Sequence, residues 1–550
     1  MRGAFRPWLP ERVLADDADV LVVDKPSGLV VHGGDPRYTE DVVGRLRALL
    51  QSQDRDDYLG VHQRLDVGTS GVLAFVRDAA RNAAVGADFE HGRVEKRYLA
   101  AVEIGARSPL AERDSIELEH RIAADGAGRM RVVRSGGRVC RACCRVLERT
   151  GARALVELLP ATGRTHQLRV QLAETGAPIA GDRDYGGARA PRLLLHAESL
   201  FLPALARRFR APAPAVLGRF VRGDVDALGD AEELRRRLAD AACRRFPLLA
   251  ESDVFRWVNG PGDELPGVAV DYYAGFATLS VSSEAASARE AELAQRLCEL
   301  GAEGVYLKRR ARADLRRLDA AELAPPEPIA GTAARPDLCV SEGALRFGVE
   351  LGDGLSTGLF VDQRDSRKRL LATSAGARVL NLFAYSCSFS VAAALGGAAR
   401  VTSVDSSQRA LARGVENFRR NGVDPGPHAF VKEDAVRYLR RARARGERFD
   451  WVVLDPPSFS SSAGRGVLKV DRDYSALVEL AVAVLAPRGR LLAVTNHRGT
   501  SRARLRHLVI DASRAAGREP AQVKELAAGL DCPDGPDGPE PSKAVLLTLA

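Results

Sequence analysis

From Arg378 onward the chain alternates short apolar runs with helical stretches, and this alternation leaves few folds open. Arg378–Phe383 reads as a strand and Ser388–Leu395 as a helix. Arg400–Val404 reads as a strand ending at Asp405, and Ser407–Arg420 as a helix stopped by Asn421-Gly422. Asp450–Leu454 and Arg490–Val494 continue the series. Repeated strand, helix, strand implies a parallel sheet covered by helices. Residues Asp19–Leu202 follow a different order, with strand-like runs at Val20–Val23, Val72–Val76 and Leu155–Leu158 between turn residues and helices. The predicted fold class is therefore multidomain, with an α+β mixed-sheet part followed by an α/β part.

At 550 residues the chain exceeds what one hydrophobic core serves. Two Pro-rich breaks divide it, Ala211-Pro-Ala-Pro214 and Ala324–Ala330. The division expected is a domain over 1–210, a linker over 211–245, a small α/β domain over 246–330 and a last domain over 331–550. A 45 % apolar and 28 % charged composition is that of a folded protein rather than a disordered one. No run approaches the ~20 apolar residues of a membrane span, and Met1–Pro10 lacks the apolar core of a secretory signal. Eight cysteines are too few for a disulfide framework. Cys140, Cys143 and Cys144 lack the second ligand pair that zinc would want, so no metal is expected. These features point to the cytoplasm. The net charge of +9 favours a polyanionic partner, because each neutralised phosphate releases counterions.

Chemistry-bearing motifs stand in order in the first part. His62-Gln-Arg-Leu-Asp-Val-Gly-Thr-Ser-Gly71 puts Asp66 on a tight turn before an apolar strand. Glu95-Lys-Arg-Tyr98 leads into another strand. Gly163-Arg-Thr-His-Gln-Leu-Arg169 opens a helix running to Gly176, with Thr165 as the expected N-cap and Leu168 and Leu172 on one face. Pro178–Asp182, Tyr185-Gly186 and Leu194-Leu-His-Ala197 follow, and Asp24-Lys-Pro-Ser-Gly28 with His32 precedes. This set resembles the RluA-type pseudouridine synthases over almost all of residues 15–203. Gln63, between His62 and Arg64, departs from that family's pattern. The reaction breaks the bond from ribose to a uracil nitrogen, turns the base and rejoins it through carbon, which calls for a carboxylate beside the sugar. The resemblance makes Asp66 that carboxylate. It also implies that Tyr98 packs against the flipped base, that Arg169 orients Asp66 and that Arg64 helps displace the base. No cofactor is implied.

In the last part, a loop at Ala384–Ser390 follows the first strand, the place where a nucleotide-like cofactor binds in such sheets, although the expected glycines are missing. Asp405 is placed to hold ribose hydroxyls or else to cap the helix that follows, and Asp434 to accept from an adenine amino group. Leu454-Asp-Pro-Pro-Ser-Phe459 makes a rigid loop that can face a planar base, with Thr357–Arg364 and Thr495–Gly499 beside it. Together these resemble the RlmI and RlmK group of ribosomal RNA methyltransferases, from about Gly343 to the end, and Gly262–Asp271 resembles the small domain that precedes the catalytic domain in RlmI-like enzymes. The resemblance implies a Rossmann-like class I domain that binds S-adenosylmethionine (SAM) through Asn381, Phe383, Tyr385, Asp405, Asp434 and Asp455. Pro456, Pro457, Phe459, Gln363 and Asn496 would meet the base, and RNA, ribosomal or transfer, would be the partner. Carbon 5 of cytosine needs a cysteine thiolate to add first. Ser458 follows the prolines, and Thr495-Asn-His carries no cysteine where RlmI-like enzymes have one. A ring nitrogen needs no such help, and the resemblance to RlmK implies ring nitrogen 7 of guanine, so guanine is favoured over cytosine.

Two other readings stay open. One enzyme could work beside a degenerate partner kept for RNA binding. A nicotinamide-dependent oxidoreductase would want Gly-x-Gly-x-x-Gly, which the cofactor loop lacks.

Overall fold

Strands rich in Val, Leu and Ala set up the two largest sheets, whose central strands are buried. In the computed structural model, residues 3–33, 41–311, 315, 318–457, 470–497, 499–537 and 542–550 are described. They form two compact units.

Unit 1 comprises Met1–Pro247 together with Pro261–Pro266. Its strands are β1 (Val13–Asp16), β2 (Val20–Lys25), β3 (Ser70–Val76), β4 (Glu95–Glu103), β5 (Ser115–Ala124), β6 (Met130–Val132), β7 (Arg138–Thr150), β8 (Arg153–Pro160), β9 (Leu195–Leu202) and β10 (Arg207–Arg210). They run in the order β1-β2-β3-β9-β4-β8-β7-β5-β6, with β10 also on β9. The pairing of β3 with β9 is parallel and brief, Ser70 opposite His196 and Gly71 opposite Ala197. Gly71 makes it possible: its φ is 116°, and a Cβ there would lie 2.1 Å from the Ala197 carbonyl oxygen. On the other side of β9, β4 shifts register between Arg97 and Tyr98, a bulge that re-aims the Tyr98 side chain.

Leu168 and Leu172 of the helix Gln167–Glu174 share one cluster with Val102, Val156 and Leu158, so the expected apolar face exists. The expected cap does not. The helix starts after His166, held at φ 55° without a side-chain cap, and Thr165 is exposed in the turn before it. Residues 211–245, read as a linker, are folded. The helix Ala215–Arg222 buries Val216, Leu217 and Phe220 against Leu99, Ala101 and Leu194. The helix Ala231–Arg245 starts at an Asp230 N-cap and ends with Arg245 fully buried on Asp263.

Unit 2 comprises Leu248–Gly260 and Gly267–Ala550. A small sheet holds β11 (Val254–Asn259), β12 (Val268–Tyr273), β13 (Phe276–Val281), β14 (Gly304–Arg309) and β15 (Ala330–Gly331) in sequence order. A hairpin follows, β16 (Cys339–Glu342) and β17 (Leu345–Gly348). The main sheet holds β18 (Arg378–Leu382), β19 (Arg400–Asp405), β20 (Ala429–Lys432), β21 (Phe449–Leu454), β22 (Leu485–Thr495), β23 (Pro520–Leu526) and β24 (Lys543–Leu549). Its order is β20-β19-β18-β21-β22-β24-β23. The first five are parallel, and β24 is antiparallel to both neighbours. Alternate residues explain the doubly covered sheet: Leu380, Val452 and Leu491 lie in one core cluster, Val379, Val453 and Leu492 in another. Val254 and Tyr273 of the small sheet belong to the same cluster as Val340 and Phe347, so segments expected as separate domains share one core. Among the described residues no helix is long and apolar enough to cross a membrane.

One buried ion pair ties the hairpin to the rest of unit 2. Arg367 is fully buried and donates through Nε and Nη2 to Glu342, at 2.8 and 2.5 Å, and through Nη1 to the Phe360 carbonyl at 2.8 Å. Removing one partner of a buried pair leaves a charge without compensation. Glu342→Ala is therefore expected to destabilise unit 2 by about 3–5 kcal/mol, read as a lower-temperature transition in calorimetry of the full chain. An unchanged transition would show that Arg367 is solvated or re-paired.

Candidate active sites

In unit 1 the centre of the sheet brings three predicted residues together. Asp66 precedes β3, Tyr98 sits at the bulge of β4 beside β9, and Arg169 lies on the helix Gln167–Glu174. Arg169 is nearly buried, so its guanidinium needs carboxylates. Asp182, fully buried, takes Nε at 2.7 Å and Nη2 at 2.8 Å. Asp184 takes Nη2 at 2.7 Å. The ring of Tyr185 lies 5.0 Å from the guanidinium carbon, and its hydroxyl meets His166 Nδ1 at 2.9 Å. With its fork held this way, Arg169 has Nη1 left over, 3.5 Å from Asp66 Oδ2. Burial works against the charged guanidinium, but the three carboxylates outweigh it and keep Arg169 firmly protonated.

Asp66 is partly exposed, Asp184 more so, and Asp182 is buried, so Asp66 is open to a substrate while held by Arg169. Burial, with the Asp66 charge adding, pushes the Tyr98 phenol up to about 12, so it keeps its proton at neutral pH. The loop that carries Asp66 is held from below. Lys25 is fully buried and donates to the carbonyls of Pro26, Leu29 and Val67 at 3.0, 2.9 and 3.2 Å. Ser27 donates to the Gly68 carbonyl at 2.8 Å. Arg64 is exposed. His62 pairs with Asn82 at 2.7 Å and stacks on Phe89, so the extra Gln63 goes with a histidine spent on the helix Ala79–Glu90. Lys25, Asp182 and Tyr185 lie within the sequence motifs, but only their contacts in the fold mark them as parts of this site.

In unit 2 the strand order reverses at β18: the chain turns to β19 on one side, and β21 lies on the other. Ligands of open α/β sheets bind at the carboxyl ends of strands at such a point. The loop after β18 meets that requirement without glycine. Phe383, Tyr385 and Cys387 hold φ values of 57°, 46° and 62°. Asp405, at the end of β19, accepts from the Tyr385 backbone N–H at 2.8 Å and from the Ser407 N–H at 2.8 Å. It therefore clamps the loop, while Ser407 caps the next helix. Asp434 is exposed and caps the helix Ala435–Ala444, and the adjacent Glu433 N–H donates to the Asp405 carbonyl.

Asp455 follows β21 with Pro456 buried and Pro457 exposed. Burial, with the Asp362 charge adding and Arg367 opposing, pushes the Asp455 carboxyl up to about 7. Burial raises Asp362 as well. Other predicted residues serve the framework. Asn381 is buried and donates to Ser390, which also receives Ser403. Gln363 is buried and donates to Ser542. Asn496 is exposed at the end of β22. Ser458 and Phe459 lie outside the described residues. The Cys387 thiol is fully buried and pushed up to about 12 by that burial. Its side chain fills the space above Gly414, where a Cβ would lie 2.3 Å from the sulfur. Among the described residues no group of three or more His, Cys, Asp or Glu could hold a metal ion.

Residues 19–174 match the RNA pseudouridylate synthase family model, and residues 306–522 match the S-adenosylmethionine-dependent methyltransferase family model. Human RNA pseudouridylate synthase domain containing 4 is 26 % identical and aligns over 39 % of this chain and 94 % of its own, with a TM-score of 0.33. The methyltransferase SMU.776, solved in complex with S-adenosylhomocysteine, is 26 % identical over 58 % of this chain and 82 % of its own, with a TM-score of 0.51. Ribosomal RNA large subunit methyltransferase I of Klebsiella pneumoniae is 32 % identical over 60 % of this chain and 82 % of its own length. The protein of the same name from Aeromonas salmonicida is 31 % identical over 61 % and 85 %. The chain thus belongs to the ribosomal RNA large subunit methyltransferase I family and carries an RNA pseudouridylate synthase domain ahead of its SAM-dependent methyltransferase domain.

Proposed function

We propose that the protein acts in the cytoplasm on ribosomal RNA, forming pseudouridine with unit 1 and methylating guanine at ring nitrogen 7 with unit 2. The names of its relatives support the RNA class. In unit 1, Asp66 attacks or deprotonates at the sugar, Arg169 orients it, and Tyr98 packs on the flipped base. Arg64, exposed beside Asp66, enters the space the base leaves. In unit 2, the loop Phe383–Cys387, Asp405, Asp434 and Asp455 hold SAM, which supplies the methyl group. Pro456, Pro457, Phe459 and Asn496 meet the base.

The observation that carries the choice of guanine is the state of the thiols. Cys387 is a buried, protonated thiol wedged on a helix, which leaves it no role as a nucleophile. The cytosine alternative rests on Cys532. It is buried next to Asp531, whose carboxylate binds Arg364 and the Arg256 backbone, and within electrostatic reach of the Arg256 guanidinium.

Three outcomes are expected. Asp66→Ala lowers pseudouridine formation by about a thousandfold or more and leaves labelled methyl transfer intact; an equal loss of both would trace to folding. Nucleoside mass spectrometry of unmodified ribosomal RNA treated with labelled SAM yields labelled methylguanosine with the parent and with Cys387→Ser and Cys532→Ser. Labelled 5-methylcytidine that disappears in Cys532→Ser would establish the cytosine reading instead. SAM is a cation, so an ionised Asp455 favours it. Because this carboxyl titrates at about 7, SAM affinity in calorimetric titration rises from pH 6 to pH 8 by up to about tenfold. Asp455→Asn flattens that profile, and a parent profile already flat removes Asp455 from the cofactor site.

A further inference from the structure

Within unit 1, Glu264 combines backbone strain with a partly buried charge pair. Its φ is 62°, in the left-handed region that a side chain rarely adopts. Its neighbours hold it there. The Glu264 carbonyl accepts from Arg237 Nη1 at 2.8 Å. Asp263 before it is fully buried and pairs with Arg244 and Arg245 at 2.7 and 2.6 Å, and Leu265 after it is fully buried. The strained residue is therefore fixed on both sides, and its carboxylate is delivered to one place: Oε1 lies 2.8 Å from Arg192 Nε.

Arg192 stands against the loop that carries Asp66. Its Nη1 donates to the Leu193 carbonyl at 3.0 Å and reaches Ser70 Oγ at 3.5 Å. The Leu193 side chain lies on Gly68, where a Cβ would come within 3.0 Å of it. Ser70 Oγ is 3.0 Å from His196 Nδ1, and His196 Nε2 is 3.4 Å from the Ala211 carbonyl. A carbonyl only accepts, so Nε2 carries the imidazole proton and Nδ1 accepts from the Ser70 hydroxyl. Burial holds this histidine neutral, down to about 3. The Ser70 oxygen keeps its lone pairs for Arg192, and the bonds run one way, Arg192 to Ser70 to His196 to Ala211. Arg192 also raises the cationic charge near buried Lys25, which clasps the Val67 carbonyl. A carboxylate on Arg192 offsets that charge.

We propose that Glu264 is a positioning residue for pseudouridine formation, acting through Arg192 on residues 67–70 and so on the placement of Asp66. The inference rests on unit 1 forming pseudouridine. In that reaction the bond from N1 to C1′ breaks, the bond from C5 to C1′ forms, the C5 proton leaves to solvent and N1 takes up a proton. Its rate therefore depends on where the Asp66 carboxylate sits relative to C1′, and small misplacements of a reacting group cost large factors.

The test is tritium release from [5-³H]uridine-labelled large-subunit ribosomal RNA transcripts by the full chain. Glu264→Gln is expected to lower kcat about tenfold with KM within about twofold, while SAM binding stays at the parent value. The double variant Arg192→Gln with Glu264→Gln should be no slower than Arg192→Gln alone, because both changes act on one contact. Glu264→Gly relieves the backbone strain and still lacks the carboxylate, so its kcat should stay low even if it folds more stably than the parent. A Glu264→Gln kcat equal to the parent's, effects of the two substitutions that multiply, or recovery of kcat in Glu264→Gly would each overturn the proposal. A parent enzyme that releases no tritium would instead remove the pseudouridine-forming activity on this RNA, and the proposal with it.

Discussion

A buried guanidinium must be matched by carboxylates, and much of this molecule is arranged around that demand. The cost of stripping water from a charge is several kcal/mol unless a partner is held in good geometry. Arg169 meets it with Asp182 and Asp184, Arg245 with Asp263, Arg367 with Glu342, and Arg12 with Asp24 and Asp240. Most of these pairs close stretches of 12 to 25 residues, and Arg12–Asp240 spans 228, so each fixes a loop as well as a charge. In unit 1 the result shapes the candidate site. Asp182 and Asp184 satisfy most of Arg169, and what remains of its fork is directed at Asp66. The Asp66 carboxylate can then stay partly exposed and still be oriented.

The parts of the fold that could be read from sequence are those with a local cause. Alternating strands and helices after Arg378 follow from apolar periodicity, and the reversal of strand order at β18 puts Asp405 and the following loop where a cofactor binds. The motif around Asp66 is legible because a turn, a carboxylate and an apolar strand are contiguous. What could not be read depends on contacts between distant residues. Ala211-Pro-Ala-Pro214 has a linker's composition, but Pro214 is the N-cap of a helix whose Val216, Leu217 and Phe220 find a core made by Leu99 and Leu194. Thr165 looked like a helix cap, but the helix enters through a left-handed His166 whose ring is held by Tyr185.

The cofactor loop was legible in position but not in construction. Glycines normally supply the left-handed residues of such a loop, because a Cβ there costs about 1–2 kcal/mol. Here Phe383, Tyr385 and Cys387 take those conformations. The surroundings make up the cost: Asp405 holds the Tyr385 N–H, Asn417 donates to the Ser386 carbonyl, and Gly414 leaves room for the Cys387 side chain. The glycine that the loop lacks has in effect moved to the facing helix. A search for Gly-x-Gly-x-x-Gly would pass over this site, although its backbone meets the same requirement.

That substitution bears on the chemistry. A cysteine placed where a glycine is usual must send its side chain somewhere, and the left-handed backbone sends it into the helix Gln408–Arg420 rather than toward the carboxyl ends of the strands. Burial there raises the thiol to about 12. Cys387 is thus a packing residue that helps to fix the loop that Asp405 clamps. The groups next to β21 are instead the Asp455 carboxyl, raised by burial and by the Asp362 charge, and the prolines that follow it.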